Sequence, residues 1–283
     1  MDIERIGVVG AGTMGSGIAE VAAVAGFAVR LCDSEAEQID KSRKVIRSSL
    51  EKAARRGRLS QSELDPILAR IVFGSNITAM ADCDFVVEAI VENADAKCLL
   101  LAELGRIVRP EIILASNTSS ISITKLGDAS GWPDRFIGMH FFNPVPIMPL
   151  VEVVRGRATA EATVVATEEL ARRMGKTPVR ANDAPGFVAN RVLMPMINEA
   201  ICALADGVAD AASIDRIMVL GCNHPMGPLA LADLIGLDVC LFILEVLERD
   251  TGDPKFKPCP LLREMVANGQ LGRKSKRGFF EYP

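Results

Sequence analysis

The chain has 283 residues, 49% hydrophobic and 24% charged, with a net charge of −4. That length suits one large or two modest domains with ample core, and the near-balanced charge offers no broad basic surface to nucleic acid or an anionic membrane. Seven scattered cysteines without a C-x-x-C pair, and two histidines that do not cluster, argue against disulfides and zinc and for a reducing, cytoplasmic setting.

Residues 3–9 form an apolar run that reads as a buried strand. It starts too early to leave room for a signal peptide, and no later run is long enough to span a membrane. The strand flows into Gly10-Ala11-Gly12-Thr13-Met14-Gly15, a G-x-G-x-x-G pattern. Gly10 lets the chain turn sharply, Gly12 lets a pyrophosphate approach the backbone, and Gly15 lets the next helix pack close to the sheet. The phosphates would sit at the positive end of that helix. A small-residue helix over 18–25 and a second strand over 27–32 follow. Asp33, at the end of that strand, is placed to accept the ribose hydroxyls of NAD and to repel the 2′-phosphate of NADP. A helix N-cap is its other reading.

A polar segment, 35–57, has apolar residues at helical spacing (Ile39, Val45, Ile46, Leu50), and Ser60-Gln61-Ser62-Glu63 is a capping box that starts another helix. The pair reads as a helical hairpin inserted between strands two and three. Its basic end carries Lys52, Arg55, Arg56 and Arg58, either a solvated face or a site for a phosphate-bearing substrate tail. Strands are expected at 71–73, 84–90, 112–116, 135–141, 150–154 and 178–180. This alternation implies an α/β, Rossmann-like domain over residues 1–184. From 185 to 283 only helical patterns remain, at 188–206, 213–220, 229–249 and 261–268. That second domain is all-α. Its Met194, Met196, Ile197, Ile201, Leu204, Met218, Leu241, Ile243 and Leu244 exceed what about 100 residues usually bury alone, which points to a homodimer interface.

His140 ends a strand, and the connection after it, Phe141-Phe142-Asn143-Pro144-Val145-Pro146-Ile147-Met148-Pro149, is stiffened by three prolines. Residues 140 and 152 are equidistant from Pro146, so an antiparallel return places Glu152 opposite His140. A carboxylate beside an imidazole orients it and stabilises its cation, which makes a general base; a structural hydrogen bond is the plainer reading. Ser116-Asn117-Thr118-Ser119-Ser120 follows a strand and falls at the carboxyl edge of the sheet, where open α/β sheets bind ligands. Asn190 is an unusual amide in an apolar helix. His224 lies in a Gly/Pro loop and reads as a turn.

Taken together these motifs resemble the L-3-hydroxyacyl-CoA dehydrogenase family, most of all its short bacterial 3-hydroxybutyryl-CoA members. The resemblance spans essentially the whole chain and rests on residues 10–17, Glu88-Ala89-Ile90-Val91-Glu92, residues 116–120, His140-Phe141-Phe142-Asn143-Pro144, residues 183–191 and Met226-Gly227-Pro228. It implies an NAD-dependent enzyme acting on a short-chain acyl-CoA. His140 would be the base, paired with Glu152, and Ser119 and Asn190 would hold the reacting oxygen. Glu92, Lys97, Asn117, Ser119, Asn143 and Lys274 would join residues 10–15 and Asp33 around NAD, and Arg56 would lie near the CoA phosphates. The helical domain would dimerise. Lys276 and Phe280 depart from the glycine and tyrosine common in the family. A dehydrogenase of a free sugar acid, or a non-catalytic NAD-binding protein on the same fold, are the competing readings.

Overall fold

A computed structural model describes residues 2–283. The apolar runs become eight strands: β1 (Arg5–Val9), β2 (Ala28–Cys32), β3 (Ile71–Gly74), β4 (Phe85–Glu88), β5 (Ile113–Ser116), β6 (Phe136–Phe141), β7 (Leu150–Arg155) and β8 (Thr177–Asn182). They make one sheet in the order β3-β2-β1-β4-β5-β6-β7-β8. The first six run parallel, β7 pairs antiparallel to β6, and β8 runs parallel to β7. Every residue of β4, β5 and β6 is buried, as expected of central strands covered on both faces. Strand order reverses between β1 and β4, and that switch point opens the crevice where such sheets bind nucleotides.

The helices of this part are α1 (Thr13–Val24), α2 (Ala36–Arg55), α3 (Leu64–Ala69), α4 (Ala94–Ile107), α5 (Ile123–Ser130) and α6 (Glu161–Arg173). Helix α1 begins at Thr13 rather than at Ile18, because the Gly-rich segment that hides helical periodicity is itself the first turn. Helix α2 buries Ile39, Ser42, Ile46 and Leu50, a stripe at three- and four-residue spacing. The Ser60/Glu63 capping box is present, at the head of a short 3-10 turn that leads into α3.

The chain divides into two compact units, one ending at Asp183 and the other running from Ala184 to Pro283. The second holds α7 (Ala189–Ala205), α8 (Ala211–Cys222), α9 (Pro228–Ile235), α10 (Leu237–Thr251) and α11 (Pro260–Ala267). The single helix expected over 229–249 is therefore two. Gly236, at φ +107, ends α9 in a conformation that side-chain-bearing residues avoid, and the Leu237 amide turns away to Leu271 O. Asp215 of α8 caps α9 through the amides of Leu229 and Ala230, and a Cβ on Gly227 would lie 2.1 Å from its carboxyl carbon. Buried Asp233 accepts the Phe279 and Phe280 amides and the Tyr282 hydroxyl, fixing the C-terminal segment. Lys276 sits there at φ +62, the backbone region that favours glycine.

The helical unit buries more of its own apolar residues than the composition suggested. Met194, Ile197, Ile201, Ile243 and Leu244 all lie in its core. Other apolar residues are exposed, among them Ile217 and Leu220 on α8 and Val239 and Phe242 on α10. Among the described residues, no helix is long and apolar enough to cross a membrane, and no group of three or more His, Cys, Asp or Glu could hold a metal ion.

Candidate active site

The glycine loop leaves β1 at the switch point. Gly10 takes φ +108, and a Cβ there would lie 2.4 Å from Ala89 O, the loop that leaves β4. A Cβ on Gly15 would lie 1.7 Å from Gly10 O, whereas one on Gly12 would enter open space. The first turn of α1 has neither a side-chain cap nor an acidic residue, so its amides and the helix dipole face that open space. A backbone cradle that only a Cβ at Gly12 would fill, at an uncapped helix start, fits the diphosphate of a dinucleotide. Ala11 is buried in the loop, Thr13 is exposed, and Met14 is partly buried against the core. Asp33 is not the N-cap of α2, a position Glu35 takes without a side-chain cap. One Asp33 carboxylate oxygen accepts the Ala11 amide at 2.7 Å and the other the Glu35 amide at 3.0 Å, which anchors it between the loop and α2.

Along the same carboxyl edge lies a network that sequence reasoning missed in its central member, Glu88. This fully buried carboxylate, last in β4, accepts from Lys97 Nζ at 2.6 Å, from the Ile90 amide at 2.7 Å and from Ser116 Oγ at 2.5 Å. Lys97 of α4 is buried too and reaches Glu92 at 3.4 Å. Removing either partner of the Glu88–Lys97 pair strands a buried charge, a cost of about 3–5 kcal/mol. Glu92 in turn accepts from Thr118 Oγ1, Ser120 Oγ and the Ser119 amide. Burial alone would raise Glu92, but Lys97 and these three donors outweigh it and hold the carboxyl below its ordinary range. The network therefore fixes the backbone of residues 116–120, including Ser119. The signal was a carboxylate closing an apolar strand nine residues before a lysine.

Asn117 bridges the next pair of strands. Its amide donates to Glu88 O, and its Oδ1 accepts the Phe141 amide at 2.9 Å. That bond lies one residue past His140. In the β6–β7 register His140 faces Glu152 directly, with Nδ1 2.7 Å from Oε2. Both are buried, at 7% and 3% exposure, and the Phe142 ring lies 4.6 Å from the imidazole. Asn143, next in the connection, is exposed.

A pocket of about 400 Å³ opens beside α1 and the basic end of α2. Lys52, Arg56, Arg58, Arg173 and Lys176 line it with Ser49 and one carboxylate, Glu20. Glu20 is buried and accepts from Ser49 Oγ at 2.7 Å. Burial pushes its carboxyl from the ordinary 4.5 up to about 7, against the pull of Ser49 and of Lys176. A carboxyl raised on folding stabilises the fold fully below about pH 4.5, and that stability is lost as pH rises through about 7. Glu20→Gln is thus expected to leave stability nearly unchanged near pH 4.5 and to raise it at pH 8, by at most on the order of 3 kcal/mol, with Tm moving in the same sense. Thermal melts at both pH values check this, and an equal shift at each would remove the titration from the account.

In the helical unit, Asn190 is buried in the first turn of α7. Lys274 is exposed and paired with Asp238 at 2.5 Å. His224 follows the left-handed Asn223 that ends α8, in the turn expected of it.

Comparison with known proteins bears directly on this arrangement. The family model described as 3-hydroxyacyl-CoA dehydrogenase, NAD binding domain, matches residues 5–184, and that of the 3-hydroxyacyl-CoA dehydrogenase C-terminal domain matches residues 186–282. The chain belongs to the 3-hydroxyacyl-CoA dehydrogenase family. It is 56% identical over 278 residues to a probable 3-hydroxybutyryl-CoA dehydrogenase of Deinococcus radiodurans, covering 98% of this chain and 100% of that protein. It is 48% identical over 280 residues to the 3-hydroxybutyryl-CoA dehydrogenase of Bradyrhizobium diazoefficiens, covering 99% and 96%. The crystal structure of (S)-3-hydroxybutyryl-CoA dehydrogenase from Ralstonia eutropha superposes with a TM-score of 0.96 at 48% identity over the whole of both chains. The protein is an NAD-dependent oxidoreductase of this family, on a Rossmann-like domain followed by a helical one.

Proposed function

We propose that the chain interconverts (S)-3-hydroxybutyryl-CoA, with its short-chain homologues, and the corresponding 3-ketoacyl-CoA. The observation that carries this reading is the buried His140–Glu152 pair on the sheet that presents the glycine loop. With Nδ1 engaged by the carboxylate, Nε2 takes the substrate's 3-hydroxyl proton, and Glu152 stabilises the imidazolium that results. Bound NAD supplies the acceptor for the hydride that leaves C3. Ser119 and Asn190 hold the reacting oxygen. Residues 10–15, Asp33, Asn117, Asn143 and Lys274 contact the cofactor, with Glu92 and Lys97 fixing the loop beside it. Arg56, with Lys52 and Arg58 at the basic end of the hairpin, receives the CoA phosphates. The seven unpaired cysteines support a cytoplasmic enzyme.

NADH oxidation with acetoacetyl-CoA, longer 3-ketoacyl-CoAs and free acetoacetate tests the assignment. Acetoacetyl-CoA is expected to exceed free acetoacetate in kcat/KM by at least about 100-fold, because the free acid forfeits the binding energy of the CoA tail. Equal rates would sink the CoA reading. NADH is expected to be preferred over NADPH because Asp33 repels a 2′-phosphate, and the reverse preference would remove Asp33 from its role.

The homodimer is proposed on Ile217, Leu220, Val239 and Phe242, whose exposure runs from 38% to 72%. Light scattering should give twice the 30.3 kDa chain mass. A monomer at micromolar concentration would refute it.

A further inference from the structure

The connection between β6 and β7 sets where His140 and Glu152 stand, and its three prolines leave it short of amide donors. The amides of Ile147 and Met148 both turn to Pro144 O. Pro149 O is satisfied by the Thr177 amide at 2.7 Å. The carbonyls of Val145 and Met148 find their donor in one side chain, Lys176, which comes from just before β8. Its Nζ donates to Val145 O and, at 2.9 Å, to Met148 O. Lys176 is 8% exposed, and Val145 beside it is 2% exposed. Val145 also packs on Gly17 of α1, where a Cβ would lie 2.7 Å from it. An ammonium rarely leaves water to serve two backbone carbonyls unless the backbone conformation it holds is needed. Burial draws Lys176 below its ordinary range, with Glu20 of α1 opposing. The same ammonium lines the pocket whose rim carries Lys52, Arg56 and Arg58 of the α2 end and Arg173 of α6.

We infer that Lys176 is a positioning residue for the base: its two hydrogen bonds fix the β6–β7 connection and thereby the cross-strand placement of His140 against Glu152. The inference rests on the reading of that pair as the general base. Lys176 does not touch the reacting atoms. It joins the wall of the basic pocket to the hairpin that carries the pair. A backbone shift of about 1 Å in such a hairpin is enough to lower turnover about 100-fold, without touching the cofactor.

The experiment compares Lys176→Met, which removes both donors at similar length, with Lys176→Gln, which keeps an amide for one carbonyl and folds more readily. His140→Ala runs in parallel. All are assayed well below their melting temperatures, with NADH affinity measured separately. Lys176→Met is expected to lower kcat about 10–100-fold, with NADH affinity within about twofold of the parent. Lys176→Gln should fall between the two. Both should displace the alkaline limb of the kcat–pH profile measured with acetoacetyl-CoA, because the imidazolium that donates the proton is less well held by Glu152. A change in melting temperature alone, with kcat and the pH profile of either folded variant at parent values, overturns the inference. If His140→Ala retains parent turnover, it is the base assignment that fails. A dead His140→Ala beside an unaffected Lys176→Gln and Lys176→Met refutes the positioning role alone.

Discussion

Replacing His140 with alanine is expected to lower kcat about 10²–10⁴-fold while leaving the fold and NADH affinity intact. The size follows from what one general acid–base group contributes. The selectivity follows from placement: His140 lies on β6, two strands from β4 and three from β1, so its removal leaves the glycine loop untouched. The informative partner is Glu152→Gln, which keeps the 2.7 Å contact sterically but removes the charge. An imidazole beside an amide becomes a cation less readily, and reduction of acetoacetyl-CoA needs that cation as proton donor, so the alkaline limb of the pH profile in this direction should move toward lower pH while kcat falls. Stopped-flow turnover with acetoacetyl-CoA, with NADH binding followed by fluorescence, separates the two effects. A His140→Ala enzyme at near-parent turnover would show that another group carries the proton.

The parts of this site legible in the sequence were those governed by local arithmetic. His140 and Glu152 are equidistant from Pro146, and an antiparallel return about a short connection turns equal spacing into a facing pair, as the register has it. The glycine spacing worked in the same way, because each glycine answers a steric demand within a few residues of itself. What stayed hidden depends on packing between distant segments. Glu88 closes an apolar strand like any strand-end acid; only the approach of α4 reveals Lys97 as its partner. Asp183 caps α5 through the Ser122 hydroxyl and the amides of Ile123 and Thr124, some sixty residues earlier in the chain. No window of sequence contains both. Gly236 stands as an isolated glycine in a helical pattern, which chains tolerate often enough to hide the break between α9 and α10. A lysine beside a glycine and a threonine looks solvated until the carbonyls it serves are in place, so nothing local in the sequence marks Lys176.

The glycine loop offers a separation of binding from stability within four residues. Gly12 lies at φ −68, a conformation alanine adopts freely, and a Cβ there meets no atom within 4 Å. Gly12→Ala should therefore melt with the parent protein. The same open space is where the diphosphate would approach the first turn of α1, so the added methyl occupies the ligand's position and holds the phosphates off the amides. Losing that contact at a cost of about 3 kcal/mol weakens NADH binding roughly 100-fold. Gly15→Ala is the opposite case. Its Cβ would stand 1.7 Å from Gly10 O, which is backbone and cannot rotate aside. Helix α1 must then lift from the loop, at an overpacking cost of about 1–3 kcal/mol or more, lowering Tm by roughly 5–10 °C. Calorimetric melts paired with NADH titrations distinguish the two variants. A Gly12→Ala protein that binds NADH as tightly as the parent would show that the dinucleotide does not lie against this loop, whatever the fate of Gly15→Ala.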